Sequence, residues 1–255
     1  MPNKVVLITG ASSGIGKAAA HAFAAKGMSL VLGARRVERL EKLCSELQEQ
    51  YKVKAQAVFM DVQDYASLQK SFESIQPELR EVDILVNNAG VSMRADKMQS
   101  ADMDNFDLMV DTNVKGVYNM TRLVLPGMLE RNRGHIINIG SIASRETYAT
   151  GGVYCASKAA VRVFSNATRL DVHTSDVRVT LIEPGMTETE FLNVKMGDEK
   201  AYYDGVECLQ PEDLASAMVY CTDCPPHVNV SEMLIMPTHQ ASVAKLYRRG
   251  EPIDV

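Results

Sequence analysis

Val5-Val6-Leu7-Ile8-Thr9-Gly10-Ala11-Ser12-Ser13-Gly14-Ile15-Gly16 decides the fold of this 255-residue chain. Val5 to Thr9 is a short apolar run suited to a buried parallel strand, and the alanine-rich Lys17 to Lys26 ends before Gly27 as a helix does. Between them, Gly10, Gly14 and Gly16 let the backbone turn and approach a phosphate closely, while the following helix presents amide donors and a favourable dipole. Strand, glycine turn and helix together make a dinucleotide-binding opening. The glycines are spaced more widely than in the general dinucleotide fingerprint, so the structural context carries the reading; the alternative is glycines used only to pack the fold.

Working outward, strands and helices alternate. Strands are expected at Leu30 to Leu32, Ala55 to Met60, Ile84 to Val86, His135 to Ile139, Val177 to Ile182 and Glu232 to Met236. Helices are expected from Val37 to about Gln50, Tyr65 to Gln76, about Asp111 onward, Tyr154 onward, and Pro211 to Cys224. Pro126 should kink or divide the long helix after Asp111, because it removes a backbone donor. This alternation predicts an α/β fold, a doubly wound and mostly parallel sheet flanked by helices, as a single domain over residues 1–255. The alternation weakens from residue 186 to residue 210, which reads as a substrate-facing loop with short helices, a lid. The last residues read as a surface tail.

Composition narrows the function classes. At 46% hydrophobic the chain has apolar material for a large core, and a net charge of −5 argues against a nucleic-acid partner. The start of the chain lacks the pattern of a secretory leader, and no run reaches the roughly 20 apolar residues of a membrane span, so a soluble, cytoplasmic protein with no membrane partner is expected. Five cysteines, Cys44, Cys155, Cys208, Cys221 and Cys224, form no dense pairing pattern. Cys221 and Cys224 have the spacing of a metal or redox pair, yet no second ligand cluster accompanies them, so no metal is expected.

After the second strand the chain reads Gly33-Ala34-Arg35-Arg36. An acidic residue here binds the adenosine ribose hydroxyls of NAD, whereas arginine can hold the extra ribose phosphate of NADP. Ala34 offers no acid, so Arg35, assisted by Arg36 and Ser12, favours NADP(H); Arg36 can equally be solvent-facing. Asp61, after the third strand, is expected with Val62 beside the adenine, or else serves as a local cap. Farther along, Tyr154 and Lys158 are four apart and share one helical face, and with Ser141 they can assemble a proton-transfer site beside the nucleotide pocket.

Thr9 to Gly16, Asn87-Asn88-Ala89-Gly90, Asn113, Ser141, Tyr154, Lys158 and Pro184-Gly185 occur in the order of the classical short-chain dehydrogenase/reductase family, which this chain resembles over most of its length. The resemblance implies a catalytic set of Asn113, Ser141, Tyr154 and Lys158. Ser141 would hydrogen-bond the substrate oxygen and Tyr154 would exchange the proton. Lys158 would contact the nicotinamide ribose and favour the tyrosinate, with Asn113 as a structural and relay residue. Cofactor contacts would come from Gly10, Ser12, Ser13, Gly14, Ile15, Gly16, Arg35, Arg36, Asp61, Val62, Asn88, Tyr154, Lys158, Pro184, Gly185, Thr187 and Thr189, with Asn88 either a contact or a support of the loop.

A narrower resemblance, through Leu125-Pro126-Gly127-Met128-Leu129-Glu130-Arg131-Asn132, His135 to Ser141, Glu183 to Phe191 and Met236-Pro237-Thr238-His239-Gln240, is to the NADP-dependent serine and 3-hydroxy acid dehydrogenase group. It implies oxidation of a small alcohol such as serine or a 3-hydroxy acid. The alternatives are a reductase of a less polar aldehyde or ketone, and a noncatalytic NADP-responsive regulator. A substrate carboxylate needs a counter-charge or aimed donors. Arg145 and Lys195 are the candidates, beside Ser141 at the reacting oxygen, while Met93, Met186, Phe191 and Tyr203 can line an apolar wall. The family resemblance also implies a homotetramer, with a homodimer as the alternative.

Overall fold

The computed structural model describes residues 4–93, 97–192, 205–249 and 251–254. Seven parallel strands form the central sheet, in the order β3-β2-β1-β4-β5-β6-β7. They are β1 (Val5–Thr9), β2 (Ser29–Ala34), β3 (Ala55–Phe59), β4 (Ile84–Asn87), β5 (Gly134–Ile139), β6 (Val177–Pro184) and β7 (Glu232–Ile235). The main helices are α1 (Gly14–Ala25), α2 (Val37–Tyr51), α3 (Tyr65–Glu73), α4 (Met103–Val110), α5 (Gly116–Glu130), α6 (Gly152–Asp171) and α7 (Pro211–Asp223). This is the doubly wound α/β architecture expected from the alternation of the sequence.

Both faces of the sheet are covered, as continuous apolar strands require. Successive residues of β1 point to opposite faces. Val6 and Ile8 pack with Phe23, Leu40, Leu47, Leu214 and Met218 from α1, α2 and α7. Val5 and Leu7 pack with Leu68, Met120, Val124 and Met128 from α3 and α5. The strand order reverses between β1 and β4, so the loops leaving these two strands diverge and open a crevice at the carboxyl edge of the sheet.

Three local features differ from expectation. The helix expected from about Asp111 opens as a π-turn at Asp111–Lys115, where the Gly116 amide donates to the Asp111 carbonyl five residues back, and continues as α5; it is preceded directly by α4, which is not expected from the sequence. Pro126 does not divide α5, which runs through it. Pro126 is itself exposed, on the solvent side of the helix, where a missing backbone hydrogen bond is most easily tolerated. The end of the chain forms an antiparallel hairpin, β8 (Lys245–Arg248) with β9 (Glu251–Asp254), instead of a tail. Of the expected lid, residues 193–204 lie outside the described residues; its near part includes a 3-10 turn at Glu190–Leu192, and Thr187 bridges to Leu209 in the parallel sense.

Candidate active site

The crevice is a cleft of about 820 Å³ lined from the ends of all the strands from β1 to β6. At its floor the Thr9 hydroxyl accepts hydrogen bonds from the Asn88 and Ala89 amides, both at 3.1 Å, and the Asn88 side-chain amide donates to the carbonyls of Thr9 (3.0 Å) and Gly10 (3.2 Å). The β1 and β4 loops are thereby sewn together across the reversal point. Two glycines make this possible. Gly10 has φ +65° and a Cβ there would lie 2.9 Å from Ala89 Cα, while a Cβ at Gly16 would lie 2.5 Å from the Gly10 carbonyl oxygen. Gly16 therefore packs behind the loop, while Gly10, Ser12, Ser13, Gly14 and Ile15 line the cleft. Ser13 precedes α1 without a side-chain cap, leaving the first amides of the helix for an anion.

Arg35 and Arg36 lie at one end of the cleft with Asp61 and Val62 nearby. Arg36 Nη2 donates to the hydroxyls of Ser12 (3.0 Å) and Ser13 (3.3 Å), so a guanidinium and two hydroxyls converge beside the glycine turn. Such a cluster suits a phosphate. Asp61 takes the Gln63 backbone amide at 3.1 Å through its carboxylate while still lining the cleft, which accommodates both readings of this residue.

Ser141, Tyr154 and Lys158 meet at the other end. Ser141 leaves β5 in an extended conformation and its hydroxyl accepts from the Ala143 amide at 3.1 Å, capping a 3-10 turn at Ile142–Ser144. Tyr154 and Lys158 project from one face of α6, with Lys158 Nζ 5.9 Å from the centre of the tyrosine ring. Burial pushes the Tyr154 phenol up to about 12, against a hydrogen bond with Ser141 that acts to lower it. Burial pulls Lys158 down to about 8, and its ammonium donates to the Ile139 carbonyl at 3.0 Å. The phenol thus holds its proton at neutral pH, beside a lysine that titrates near it.

Asn113 stands behind this group, in the π-turn. Its side chain takes the Val91 amide (2.8 Å) and donates to the Val91 carbonyl (2.9 Å) and the Ser157 hydroxyl (3.0 Å). The extra residue of the π-turn places the buried amide where it can tie the β4 loop to α6.

Pro184, Gly185, Met186, Thr187, Thr189 and Phe191 line the remaining side, with the Phe191 ring 6.1 Å from that of Tyr154. Arg145 does not line the cleft. Its guanidinium is held by Glu183 and Glu232, the former fully buried, so its charge is already matched within the protein. Met93 does not line the cleft either, and Lys195 and Tyr203 lie outside the described residues. Sequence reasoning missed Gln240, Tyr148 and Thr150. Gln240, almost fully buried, accepts from the Met186 amide at 2.8 Å and so pins the β6 loop from the far end of the chain. Tyr148 and Thr150 line the cleft just before α6, and Thr150 has φ +66°, a strained conformation for a β-branched residue. Only the closeness of Tyr148 and Thr150 to Tyr154 in sequence hinted at their place.

Among the described residues no group of three or more His, Cys, Asp or Glu side chains could hold a metal, and no helix is long and apolar enough to cross a membrane. Burial lifts the Cys221 thiol to about 11, and Cys224 Sγ donates to the Tyr220 carbonyl.

Residues 4–200 match the short chain dehydrogenase family model. The chain is 37% identical to the NADP-dependent 3-hydroxy acid dehydrogenase of Schizosaccharomyces pombe, over 98% of each chain. It is 42% identical to sulfoacetaldehyde reductase 2 of Chromohalobacter salexigens, over 93% of this chain and 95% of that one. A solved structure of the closed form of serine dehydrogenase complexed with NADP+ is 41% identical, superposes with a TM-score of 0.88, and aligns with 93% of this chain and 96% of its own. The cleft, its glycine floor and the Ser141, Tyr154 and Lys158 group sit in a chain that belongs to the short-chain dehydrogenase/reductase family.

Proposed function

We propose that this chain is an NADP-dependent oxidoreductase that interconverts a small 3-hydroxy acid or serine-like alcohol and the corresponding carbonyl compound. The observation that carries it is the pairing, in one cleft, of a phosphate-suited Arg36, Ser12 and Ser13 cluster with Ser141, Tyr154 and Lys158. The cofactor and substrate class of the 3-hydroxy acid dehydrogenase and serine dehydrogenase relatives support it.

Bound nicotinamide supplies the hydride in reduction and takes it in oxidation. In reduction Tyr154 donates its phenolic proton to the substrate oxygen as that oxygen gains negative charge; oxidation is the reverse transfer, in which the alcohol proton passes to Tyr154 once its own proton has left to solvent, a loss that the Lys158 ammonium favours. Ser141 hydrogen-bonds the same oxygen and steadies the phenol. The Lys158 ammonium stabilises the developing tyrosinate and binds ribose hydroxyls. Asn113 holds the β4 loop and α6 in register around these groups. Glycine-loop amides, Ile15 and Asn88 shape the dinucleotide path, Arg35, Arg36, Ser12 and Ser13 hold its ribose phosphate, and Asp61 and Val62 flank its adenine. Pro184, Gly185, Thr187 and Thr189 flank the nicotinamide end.

Met186 and Phe191 form the apolar wall of the substrate pocket, within the lid that we assign to residues 186–210. Arg145, whose charge is already matched by Glu183 and Glu232, is not the counter-charge of a substrate carboxylate. The same wall favours a second reading, reduction of short aldehydes or ketones, which the similarity to sulfoacetaldehyde reductase 2 supports. A substrate panel assayed with NADP(H) and NAD(H) tests both. Turnover of L-serine and 3-hydroxy acids with NADP supports the first reading, whereas turnover confined to aldehydes and ketones replaces it with the second.

We read the enzyme as a cytoplasmic homotetramer. Tyr118 and Leu129 on α5 and Val163 and Leu170 on α6 are exposed apolar side chains on neighbouring helices, suited to association with further copies of the chain. Light scattering coupled to size separation measures the assembly directly.

A further inference from the structure

Glu190 contacts the cations at the ribose-phosphate end of the cleft although it belongs to the substrate loop. Its carboxylate lies 3.0 Å from Arg39 Nη1 and 3.8 Å from Arg36 Nη1, and Arg36 is the guanidinium that also donates to Ser12 and Ser13. Both Glu190 and Arg36 line the cleft. The neighbours of Glu190 reach elsewhere: Thr189 lies against Gly14, with its Cγ2 3.3 Å from where a Cβ would stand, and the Phe191 ring lies 6.1 Å from that of Tyr154. Three consecutive residues therefore touch the phosphate cations, the glycine turn and the proton-transfer tyrosine.

A phosphate taken up by Arg36 must share that guanidinium with the Glu190 carboxylate or take it over. The pair is about half exposed on both sides, so it is a loose and exchangeable ion pair rather than a fixed structural one. A phosphate monoester carries nearly two negative charges, and like charges this close repel even in water. We propose that Glu190 is a cofactor-specificity residue that competes with the ribose 2′-phosphate for Arg36, so that its charge weakens discrimination in favour of the phosphorylated cofactor.

This inference rests on the reading of the Arg36 cluster as the NADP ribose-phosphate site, and its test separates the two. Calorimetric binding of 2′,5′-ADP and of 5′-AMP is measured for the wild-type protein and for Glu190→Gln, at low and at high salt. The wild type is expected to bind 2′,5′-ADP more tightly than 5′-AMP. Glu190→Gln is expected to bind 2′,5′-ADP about three- to tenfold more tightly still at low salt, with 5′-AMP unchanged and the gain shrinking as salt screens the charge. Equal or weaker binding of 2′,5′-ADP by Glu190→Gln, while the wild type keeps its preference, overturns the competition and leaves the cofactor reading standing. Failure of both the wild type and Glu190→Gln to distinguish the two nucleotides overturns the cofactor reading and the competition with it. Parallel tightening of both nucleotides overturns the competition as well, since a general rearrangement of the loop would affect them alike.

Discussion

The side-chain amide of Asn113 clamps the backbone of Val91 from both directions, accepting from its amide at 2.8 Å and donating to its carbonyl at 2.9 Å. A third hydrogen bond, to Ser157, brings α6 into the same clamp one residue before Lys158. Asn113→Ala leaves the Val91 groups and the Ser157 hydroxyl short of partners in a buried place, which costs about 1–3 kcal/mol. We expect a lower Tm and a fall in kcat larger than any change in KM, because the clamp positions the β4 loop and α6 rather than binding substrate. Thermal unfolding and steady-state kinetics on the same preparation check this.

Arg145 is expected to act on stability first. Glu183 is fully buried and its carboxylate is matched by Arg145, with Arg162 at 3.9 Å. Arg145→Gln removes the better-placed cation and costs about 3 kcal/mol, since a buried carboxylate short of its partner is strongly unfavourable. The double variant Arg145→Gln with Glu183→Gln should recover part of that loss in denaturant unfolding. A selective rise in KM for carboxylate substrates, with stability unchanged, would instead return Arg145 to the substrate site.

How far the sequence disclosed this site depends on the range of the interactions that build it. The β1 strand, glycine turn and α1 are written in consecutive residues, and the four-residue spacing of Tyr154 and Lys158 follows from helix geometry alone. The joining of the two ends of the cleft follows from the parallel alternation, which forces strand ends to one edge. Arg145 is a fair candidate by position, but its partners Glu183 and Glu232 lie 38 and 87 residues away and only the packed β6 and β7 reveal them. The π-turn at Asp111–Lys115 likewise depends on tertiary contacts of Asn113, and no local propensity announces it. Gln240 reaches Met186 across 54 residues from what the sequence presents as a tail.

Acid should destabilise the protein through His135. It is buried, its Nε2 pairs with Thr180 Oγ1 at 2.8 Å, and burial first, then the nearby Arg178 and Lys4 charges, lowers it from 6.5 to about 3. The folded protein keeps this ring neutral while the unfolded chain protonates it below about pH 6.5. Stability is therefore full above that pH and is lost as pH falls toward about 3, by about 2 kcal/mol at about pH 5. His135→Gln should show a shallower loss of unfolding free energy over this window; equal acid sensitivity in the two proteins would remove His135 as the cause.

Lys158 should set the pH dependence of carbonyl reduction. Burial lowers its ammonium to about 8, so the positive charge that stabilises a tyrosinate is present below that pH and is lost above it, while the Tyr154 phenol, raised to about 12, keeps its proton throughout. The reduction kcat is expected to fall as pH rises through about 8. A Lys158→Met enzyme that still binds 2′,5′-ADP should be slow at every pH, with no such inflection.

The most direct measurement is the rate of nicotinamide absorbance change on mixing NADP with L-serine or a 3-hydroxy acid, for the wild type and for Tyr154→Phe, which deletes the phenolic hydroxyl and keeps the ring. The account predicts cofactor-dependent turnover by the wild type and a loss of about 10²–10⁴-fold in the variant, with 2′,5′-ADP binding preserved. Undiminished turnover by Tyr154→Phe would contradict it.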